Sequence, residues 1–267
     1  MAEYLFTENG FTPSASEGFS NRGFLYADGF FESLLCINGS PTYWSLRQDR
    51  IVAVLNFLRM EPLDLEAIYA GIRTVLSDRS SEIVRARITF FRSGQGRYTP
   101  MSNAVTVVLN VEELESDPML TSQTKTLGVS KTFFDATPAN RHKLISKHWQ
   151  VLAALEAKDA KKDDLVLINQ RNGVVEGISS NILLRFGEEI RTPPLEAGCL
   201  DGIARRVLLE LPQVKEAPVS LNDLEHADAI FMANSIVGVI PMQLEETLPD
   251  RKAGIELTSF LRSKIEE

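Results

Sequence analysis

Cysteine and histidine are scarce in this 267-residue chain, which contains two of the former and three of the latter. Cys36 and Cys199 lie among apolar or small residues, so we predict no disulfide framework and a reducing, cytoplasmic setting. His142, His148 and His226 do not form a recognisable zinc motif with two scattered cysteines. Metal chemistry is therefore not expected.

Long apolar runs and an excess of basic residues are also missing. No apolar segment reaches about 18 residues, which predicts a protein that does not cross a membrane. The N-terminal stretch MAEYLFTENG lacks the basic head and apolar run of a secretion signal. A formal net charge of −8 argues against non-specific binding to nucleic acid. The composition, 44% hydrophobic and 24% charged, is that of an ordinary soluble globular protein.

The hydrophobic pattern predicts two units that each mix helices and strands. Apolar periodicity predicts helices at 47–59, 65–76, 146–161 and 202–211, and strands that include 29–37, 83–91, 104–111 and 165–169. Asn38-Gly39 predicts a hairpin turn, because both residue types tolerate positive φ. Residues 112–124 are polar, acidic and without period. We therefore predict a domain at 1–111, a connection at 112–124 and a second domain at 125–267, richer in antiparallel strands.

Two stretches invite a chemical interpretation beside an ordinary one. NRHK, which ends at Lys143, precedes a predicted helix, and such residues commonly form a solvated charged surface. Alternatively, a lysine there is a nucleophile that forms a Schiff base, which requires a lowered pKa and a carbonyl partner. The stretch NGVVEGISSNILL is typical of a β-hairpin, yet Glu176 and small polar residues occupy its centre. A bulge or a crossover explains these residues as well as a site does.

Three further stretches remain open in the same way. RSGQGRY has the glycines of a phosphate loop but not its Lys-Ser/Thr ending, so a nucleotide site is disfavoured. Arg92 and Arg97 are then available to an anionic ligand. LDGIARR is either a glycine-assisted helix start or an anion site made of backbone N–H groups. Asn234-Ser235, after the strand AIFMA, is an ordinary turn or a second such site.

Taken in order, these segments resemble five sequence blocks of the fold-type IV pyridoxal-phosphate enzymes. The family includes branched-chain and D-amino-acid aminotransferases and aminodeoxychorismate lyase. The similar stretches, which span nearly the whole chain, are YADGFFESLLCINGSPTYWSLRQDRI, HKLISKHWQVLAA, VVEGISSNILL, TPPLEAGCLDGIARRVL and FMANSIVGVIPM. The resemblance implies an α+β fold with a smaller N-terminal α/β sandwich domain and a larger C-terminal, pseudo-barrel-like domain. It also implies pyridoxal 5'-phosphate as the cofactor and a homodimer.

The resemblance assigns roles to individual residues. It implies that Lys143 bonds covalently to the cofactor and that the Glu176 carboxylate faces the cofactor's pyridine nitrogen. The other implied cofactor contacts are Arg50, at the phosphate, and Ser180, Asn181, Gly202, Ile203, Ala204, Asn234 and Ser235. Three positions depart from the family pattern. Ala27 replaces a glycine, Arg47 stands where histidine is common, and Ala204 replaces the threonine of many aminotransferases.

Two reactions fit this resemblance. The first is a lyase reaction that releases pyruvate from 4-amino-4-deoxychorismate and forms 4-aminobenzoate for folate synthesis. Ala204, Asn234 and the stretch RSGQGRYTP, which is similar to a lyase loop, favour it. The second is an aminotransferase reaction between an amino acid and a 2-keto acid, and Glu32 is the form usual in that branch. We predict the lyase, with a small-molecule amine or amino-acid substrate contacted by Glu32, Arg92 and Arg97.

Overall fold

The computed structural model describes residues 2–13, 21–120, 123–245 and 247–265. Residues 121 and 122 of the predicted connection lie outside these ranges. The chain divides into two compact units. Unit 1 comprises residues 1–117 and 142–146, and unit 2 comprises residues 118–141 and 147–267.

Unit 1 is a six-stranded sheet with two long helices. Its elements are β1 (Ala2–Thr7), β2 (Gly10–Pro13), α1 (Arg22–Tyr26), β3 (Gly29–Ile37), β4 (Ser40–Pro41), α2 (Trp44–Leu58), α3 (Leu65–Ser77), β5 (Ile83–Arg92) and β6 (Val105–Glu113). The strand order is β2-β1-β6-β5-β3-β4, and every neighbouring pair is antiparallel.

The core of unit 1 follows from the period of its elements. Alternate residues of β3, such as Phe30 and Leu34, are fully buried beside apolar residues of α2 that recur at helical spacing, including Ile51 and Val54. The ring of Phe30 stacks on that of Phe90, with centroids 4.6 Å apart. The strands predicted at 29–37, 83–91 and 104–111 and the helices predicted at 47–59 and 65–76 are observed as β3, β5, β6, α2 and α3, because an amphipathic pattern strong enough to predict an element also buries it.

The segment of residues 142–146 belongs to unit 1 although its neighbours in the chain belong to unit 2. The Phe31 N–H donates to the Lys143 carbonyl at 3.0 Å, and the Ile145 N–H donates to the Gly29 carbonyl at 3.0 Å. The start of β3 has this edge available because β4 pairs only with Cys36 and Ile37. The prediction that 125–267 form one domain therefore differs from the observed units at these five residues, and backbone hydrogen bonds are the reason.

Unit 2 is built on an eight-stranded mixed sheet. Its elements are β7 (Lys125–Phe134), α4 (His148–Asp159), β8 (Asp164–Asn169), β9 (Val174–Glu176), β10 (Asn181–Phe186), β11 (Glu189–Thr192), α5 (Ile203–Leu208), β12 (Val214–Glu216), α6 (Leu221–His226), β13 (Ala229–Asn234), β14 (Gly238–Gln243) and α7 (Arg251–Ser263). The strand order is β12-β11-β10-β13-β14-β7-β8-β9. Antiparallel pairing joins β10 to β11 and β13, β13 to β14, and β8 to β9.

Helices and mainly antiparallel sheets occur together in both units, which confirms the predicted α+β class. Across the described ranges, every helix is too short or too polar to cross a bilayer. The segment before α5 is the part of unit 2 that matters most for the candidate site. It leads from β11 through a short 3-10 helix at Leu195–Ala197 to Gly202, and residues that sequence similarity singled out lie along it.

Candidate active site

The Lys143 side chain lies next to an aromatic residue of β3. Its Nζ is 5.2 Å from the centroid of the Phe31 ring, close enough for an ammonium group to be attracted to the face of the ring. The hydrogen bond between the Phe31 N–H and the Lys143 carbonyl fixes the lysine backbone at the same place. β3 therefore determines where this amine can reach.

The opposite face of β3 carries a buried carboxylate between two arginines. The Arg50 Nε and Nη2 donate to the two oxygens of Glu32 at 2.7 and 2.5 Å, and Arg47 Nη1 donates at 3.0 Å. The three side chains are at most 3% exposed. Arg47 and Arg50 reach the same carboxylate because residues three apart lie on one face of α2. We call Phe31, Glu32, Arg47, Arg50 and Lys143 the lysine cluster.

Charge outweighs burial at Glu32. Burial raises the pKa of this carboxyl, but the positive charges of Arg50, Arg47 and Lys143 lower it by more than burial raises it. The resulting pKa is below the ordinary value of 4.5. Glu32 is therefore ionised at neutral pH and holds both guanidinium groups in place. The structure shows it as an ion-pair partner of Arg50, and its predicted contact with substrate stays a prediction.

The two arginines predicted to meet substrate occupy different environments. Arg92 is buried, and its guanidinium donates to Asp28 at 3.0 Å and to the Leu58 carbonyl at 2.6 Å. Those bonds make Arg92 a structural residue in the interior of unit 1. Arg97 is exposed on the loop between β5 and β6. Of the pair, Arg97 is the one positioned to bind a ligand from solvent.

Arg87 is a candidate that the sequence prediction missed. Its guanidinium carbon lies 3.6 Å from the centroid of the Phe31 ring, which Lys143 also approaches. Burial, with a contribution from Arg85, lowers the pKa of Arg87. The alternation of IVRARITFF contained the signal, because it places Arg85, Arg87 and Thr89 on one face of β5, with Phe31 opposite Thr89 on β3.

In unit 2, the backbone of Leu200 is held from both sides by predicted site residues. The Glu176 Oε2 accepts the Leu200 N–H at 2.8 Å, and the Asn181 Nδ2 donates to the Leu200 carbonyl at 2.9 Å. Glu176 ends β9 and Asn181 begins β10, so both side chains lie where these strands meet the turn between them. The carboxylate and the amide thereby fix the loop that leads to α5.

The turn between β9 and β10 is closed and tied to a second turn. The Gly177 N–H donates to the Ser180 carbonyl at 2.7 Å, and the Asn234 Nδ2 donates to the Ser180 Oγ at 3.0 Å. The Asn234 Oδ1 accepts the N–H groups of Ile236 and Val237 at 2.9 and 3.0 Å. Pairing of β10 with β13 brings the two turns together. We call Glu176, Ser180, Asn181, Leu200 and Asn234 the loop cluster.

Gly202 and the start of α5 lie against this cluster. A Cβ atom at Gly202 would lie 2.0 Å from the Asn181 Oδ1, so any side chain here would displace the Asn181 amide. The N-cap residue of α5 is Gly202, which has no side chain to accept the first N–H groups of the helix. The nearby Asp201 carboxylate is neutralised by Arg206 through bonds of 2.9 and 2.6 Å. Such a set of N–H donors suits a phosphate group.

Asp164 is a second residue that the prediction missed. Its Oδ1 accepts the N–H groups of Ile178 and Leu165 at 2.9 and 2.8 Å. A Cβ atom at Gly177 would lie 3.1 Å from the Asp164 Oδ2 and 2.9 Å from the Met232 sulfur. Burial raises the pKa of the Asp164 carboxyl, although both N–H groups act to lower it. The aspartate directly before the buried run LVLIN was the available signal.

The two free thiols in the described ranges, Cys36 and Cys199, are both buried. Burial raises the pKa of Cys36 and of Cys199 to about 12, so both remain protonated at neutral pH. Over the same ranges, no group of three or more His, Cys, Asp or Glu side chains is placed to hold a metal ion. The candidate residues with concentrated charge and hydrogen bonding are those of the lysine and loop clusters.

Comparison with known proteins gives this arrangement a context. The chain is 29% identical to an aminodeoxychorismate lyase of Vibrio harveyi, over 89% of this chain and 90% of the relative. It is 27% identical to an aminodeoxychorismate lyase of Bacillus subtilis, over 91% and 86%. Among solved structures, it resembles the 4-amino-4-deoxychorismate lyase of Pseudomonas aeruginosa, with a TM-score of 0.84 and 24% identity over 99% of this chain and 100% of the other.

An aminotransferase of Brucella abortus, solved with pyridoxal phosphate bound, has the same fold, with a TM-score of 0.87, 18% identity and full coverage of both chains. The family model described as "Amino-transferase class IV" matches residues 29–244. That range includes the whole of both clusters. The chain belongs to the class IV aminotransferase family.

Proposed function

We propose that this protein is a pyridoxal-phosphate-dependent lyase that converts 4-amino-4-deoxychorismate to 4-aminobenzoate and pyruvate. The observation that carries the proposal is the similarity to two aminodeoxychorismate lyases over nearly their whole length. Membership in the class IV family supports the cofactor. The product assigns the protein to folate synthesis, and a cytoplasmic location agrees with its reduced, buried cysteines.

The residues of both clusters fit this cofactor by their chemistry. A phosphate dianion requires cations and N–H donors, and Arg50 and the backbone at the start of α5 are the groups we propose for it. A pyridine ring nitrogen requires an anion, which Glu176 supplies. An aldehyde requires an amine, which Lys143 supplies. Within unit 2, Gly202 leaves the backbone without side-chain bulk beside Asn181.

Each of these residues has a defined task in the reaction. When bound, pyridoxal phosphate provides a sink for the electrons released at the carbon that bears the substrate amine. Lys143 would hold the cofactor through Nζ, and the same Nζ would take the proton from that carbon as a general base. Glu176 would stabilise a positive charge on the ring nitrogen, because an opposite charge favours the ionised form.

The substrate is itself an anion, and its carboxylates require a cationic partner. Arg97, exposed on its loop, and Arg87, beside Lys143 on the Phe31 ring, are the proposed partners. Expulsion of pyruvate from the substrate leaves an aromatic ring, which drives the reaction in the lyase direction.

The decisive experiment is product formation. Purified protein is mixed with chorismate, glutamine and the synthase that makes aminodeoxychorismate, and fluorescent 4-aminobenzoate is measured. Lys143→Ala serves as the inactive variant, and Lys147→Ala is the matched control for a nearby lysine. Absence of 4-aminobenzoate with the wild type would reject the lyase assignment. In that case a shift of the cofactor spectrum to the pyridoxamine form, with an amino donor, would assign the aminotransferase reaction instead.

We also propose that the protein is a homodimer, as its family resemblance implies. The side chains of Trp149, Val151, Leu152 and Leu155 on α4 are between 36% and 58% exposed. Such an apolar surface is costly to leave in water, and a second copy of this chain is the occupant we propose for it. Light scattering is expected to give twice the chain mass. A monomer for the wild type, or a dimer unaffected by Leu152→Glu, would contradict the proposed surface.

A further inference from the structure

The loop between β5 and β6 has a fixed conformation. The Ser93 N–H donates to the Ala104 carbonyl at 2.8 Å, which closes the base of the loop. Gly94 and Gly96 have φ values of +81° and +109°, which favour glycine, and a Cβ at Gly96 would lie 2.4 Å from the Thr99 carbonyl oxygen. The segment is therefore a built turn with one preferred shape.

This loop presents polar and aromatic side chains to solvent. Arg97 is exposed, and Tyr98 is 92% exposed. The ring of Tyr98 meets that of Tyr26, with centroids 5.9 Å apart. A loop that is fixed in its backbone and open at its side chains is typical of a recognition element.

A buried ion triad lies beneath the loop. The Asp28 Oδ2 accepts from Arg22 Nε at 2.8 Å and from Arg92 Nε at 3.0 Å. The side chains of Asp28, Arg22 and Arg92 are 15%, 5% and 7% exposed. Two guanidinium groups thus share one carboxylate, and charges buried in this way are costly unless their remaining donors are also satisfied.

Arg92 Nη2 donates to the Leu58 carbonyl at the end of α2, but other donors of the two arginines go to the loop itself. Arg22 Nη1 donates to the Gly96 carbonyl at 2.9 Å and to the Arg97 carbonyl at 2.7 Å. Arg92 Nη1 donates to the Asn103 Oδ1 at 2.5 Å. One arginine of the triad therefore holds the backbone of Arg97, and the other holds the far end of the loop.

The same triad is adjacent to the attachment point of Lys143. The Arg92 N–H donates to the Asp28 carbonyl at 3.0 Å, and the next residue, Gly29, accepts the Ile145 N–H at 3.0 Å. The loop and the lysine segment are thus both attached to the first residues of β3. Their relative position in unit 1 depends on that short stretch of backbone.

We propose that Asp28, Arg22 and Arg92 are positioning residues, which set the place of Arg97 relative to Lys143 and thereby determine the affinity for an anionic substrate. None of the three needs to touch the substrate. The inference rests on the proposed function, and it gives the buried Arg92 a role that differs from the predicted substrate contact.

A double-mutant cycle tests whether Asp28 acts through Arg97. Asp28→Asn keeps the shape of the side chain and removes its charge, and Arg97→Gln removes the proposed ligand contact. Loss of a hydrogen bond to a charged group predicts a rise in KM of about tenfold or more for Arg97→Gln. Asp28→Asn is expected to raise KM by several-fold with kcat changed less than about twofold. The double variant should have the KM of Arg97→Gln alone, because the two effects are not independent.

Two further measurements separate positioning from general loss of structure. Hydrogen exchange in Asp28→Asn is expected to increase at residues 93–103 and to stay unchanged in α3. Asn103→Ala removes one tie of the loop without disturbing the buried carboxylate, and it should give a smaller effect of the same kind. Asp78→Asn, which alters an exposed carboxylate of unit 1, should behave as the wild type.

The outcomes are distinguishable. If the wild type transaminates, KM for its keto acid is the measured quantity, because that substrate is also a carboxylate. A wild type with neither reaction rejects the proposed function and this inference together. KM effects that multiply in the double variant, or a KM unchanged in both Asp28→Asn and Asn103→Ala, reject the inference alone. If Asp28→Asn is globally unfolded, Asn103→Ala takes its place in the cycle with Arg97→Gln. KM effects of Asn103→Ala and Arg97→Gln that multiply in their double variant would then reject the inference.

Discussion

The lysine cluster of unit 1 and the loop cluster of unit 2 satisfy their buried polar groups in opposite ways. In the lysine cluster, ionised side chains bind one another, and Glu32 accepts from Arg50 and Arg47. In the loop cluster, backbone and amide groups provide most partners, and Glu176 is the one ionisable member. Charges set the stability of the first cluster, whereas backbone geometry sets that of the second. Substitutions should therefore have different consequences in the two places.

The largest effect is expected at Lys143, the group in the lysine cluster for which we propose a chemical task. Lys143→Ala should remove the absorption band of the lysine-bound cofactor and lower kcat by about 10²- to 10⁴-fold or more, because the amine also moves a proton. Absorption spectra with added pyridoxal phosphate measure the first effect, and the 4-aminobenzoate assay measures the second. Lys147→Ala should keep both. A full band in Lys143→Ala would reject the assignment of this lysine.

The next effect tests the claim that charge stabilises the lysine cluster. Arg50→Gln removes one of the two guanidinium groups that α2 provides to the Glu32 carboxylate and leaves Arg47 in place. Breaking a buried pair on one side costs about 3–5 kcal/mol of unfolding free energy, and urea titration at pH 7 measures it. The variant should also bind pyridoxal phosphate more weakly. The double variant Glu32→Gln/Arg50→Gln should be destabilised further than Arg50→Gln, since the buried Arg47 guanidinium then lacks its carboxylate partner.

Acid provides an independent check of the same cluster. The folded-state pKa of Glu32 lies below its ordinary value of 4.5, so its ionised form stabilises the fold above that value. This contribution is lost as the pH falls through the folded-state pKa. The wild type should therefore lose more stability between pH 5 and strongly acidic pH than Glu32→Gln does. Equal loss in the two proteins would contradict the assigned role of the charge.

In the loop cluster, removing the charge of Glu176 should lower activity strongly and change the unfolding free energy little. Glu176→Gln keeps an oxygen that accepts the Leu200 N–H, so the unfolding free energy should change by about 1 kcal/mol or less. Activity should fall by about 10²- to 10³-fold, because a preorganised charge is removed from the reacting system. Urea titration and the 4-aminobenzoate assay are compared on one preparation. A loss of stability as large as that of Arg50→Gln would remove the contrast between the clusters.

Sequence patterns predicted the elements in which periodicity and burial coincide. The strand predicted at 29–37 is observed as Gly29–Ile37, and the helix predicted at 65–76 is observed as Leu65–Ser77. The strand at 165–169 starts one residue earlier, at Asp164. In each case a long apolar pattern with a single period meets one buried face, so no tertiary contact has to override the local preference.

Short elements were missed because they do not contain enough residues to show an apolar period. α1, with five residues, and β12, with three, are too short to show a period. β1 is also missed, because Ala2–Thr7 acquires its strand form by pairing with β6, which is distant in sequence. The return of residues 142–146 to β3 has the same origin. Hydrogen bonds between distant backbones leave no local pattern in the sequence.

The candidate site divides in the same manner. Glu176, Asn181 and Asn234 were predicted because their spacing resembles a family pattern, and the structure joins them through Leu200 and Ser180. Arg87 and Asp164 were not found, since their significance comes from the neighbours Phe31 and Ile178 on other elements. Side chains that act through a partner distant in the chain are visible only once the fold is known.

The smallest predicted effect concerns Asp164, whose carboxylate holds the turn beside Glu176. Asp164→Ala leaves the Ile178 N–H without its acceptor and should cost about 1–3 kcal/mol, whereas Asp164→Asn keeps an oxygen for it. The raised folded-state pKa means that the protonated carboxyl contributes stability that is complete below the ordinary pKa of 3.8. That contribution is lost as the pH rises through the folded-state pKa.

Asp164→Asn should therefore gain stability relative to the wild type as the pH rises from about 3.8 towards neutrality. The charged groups that act on Asp164 are Lys125, which favours its ionised form, and Asp163, which opposes it. Neither is changed in the variant, so they do not alter the sign. Urea titrations across this pH range measure the difference in unfolding free energy. If the difference shrinks with rising pH, the carboxylate stabilises the turn through its charge, and the loop cluster relies on charge as the lysine cluster does.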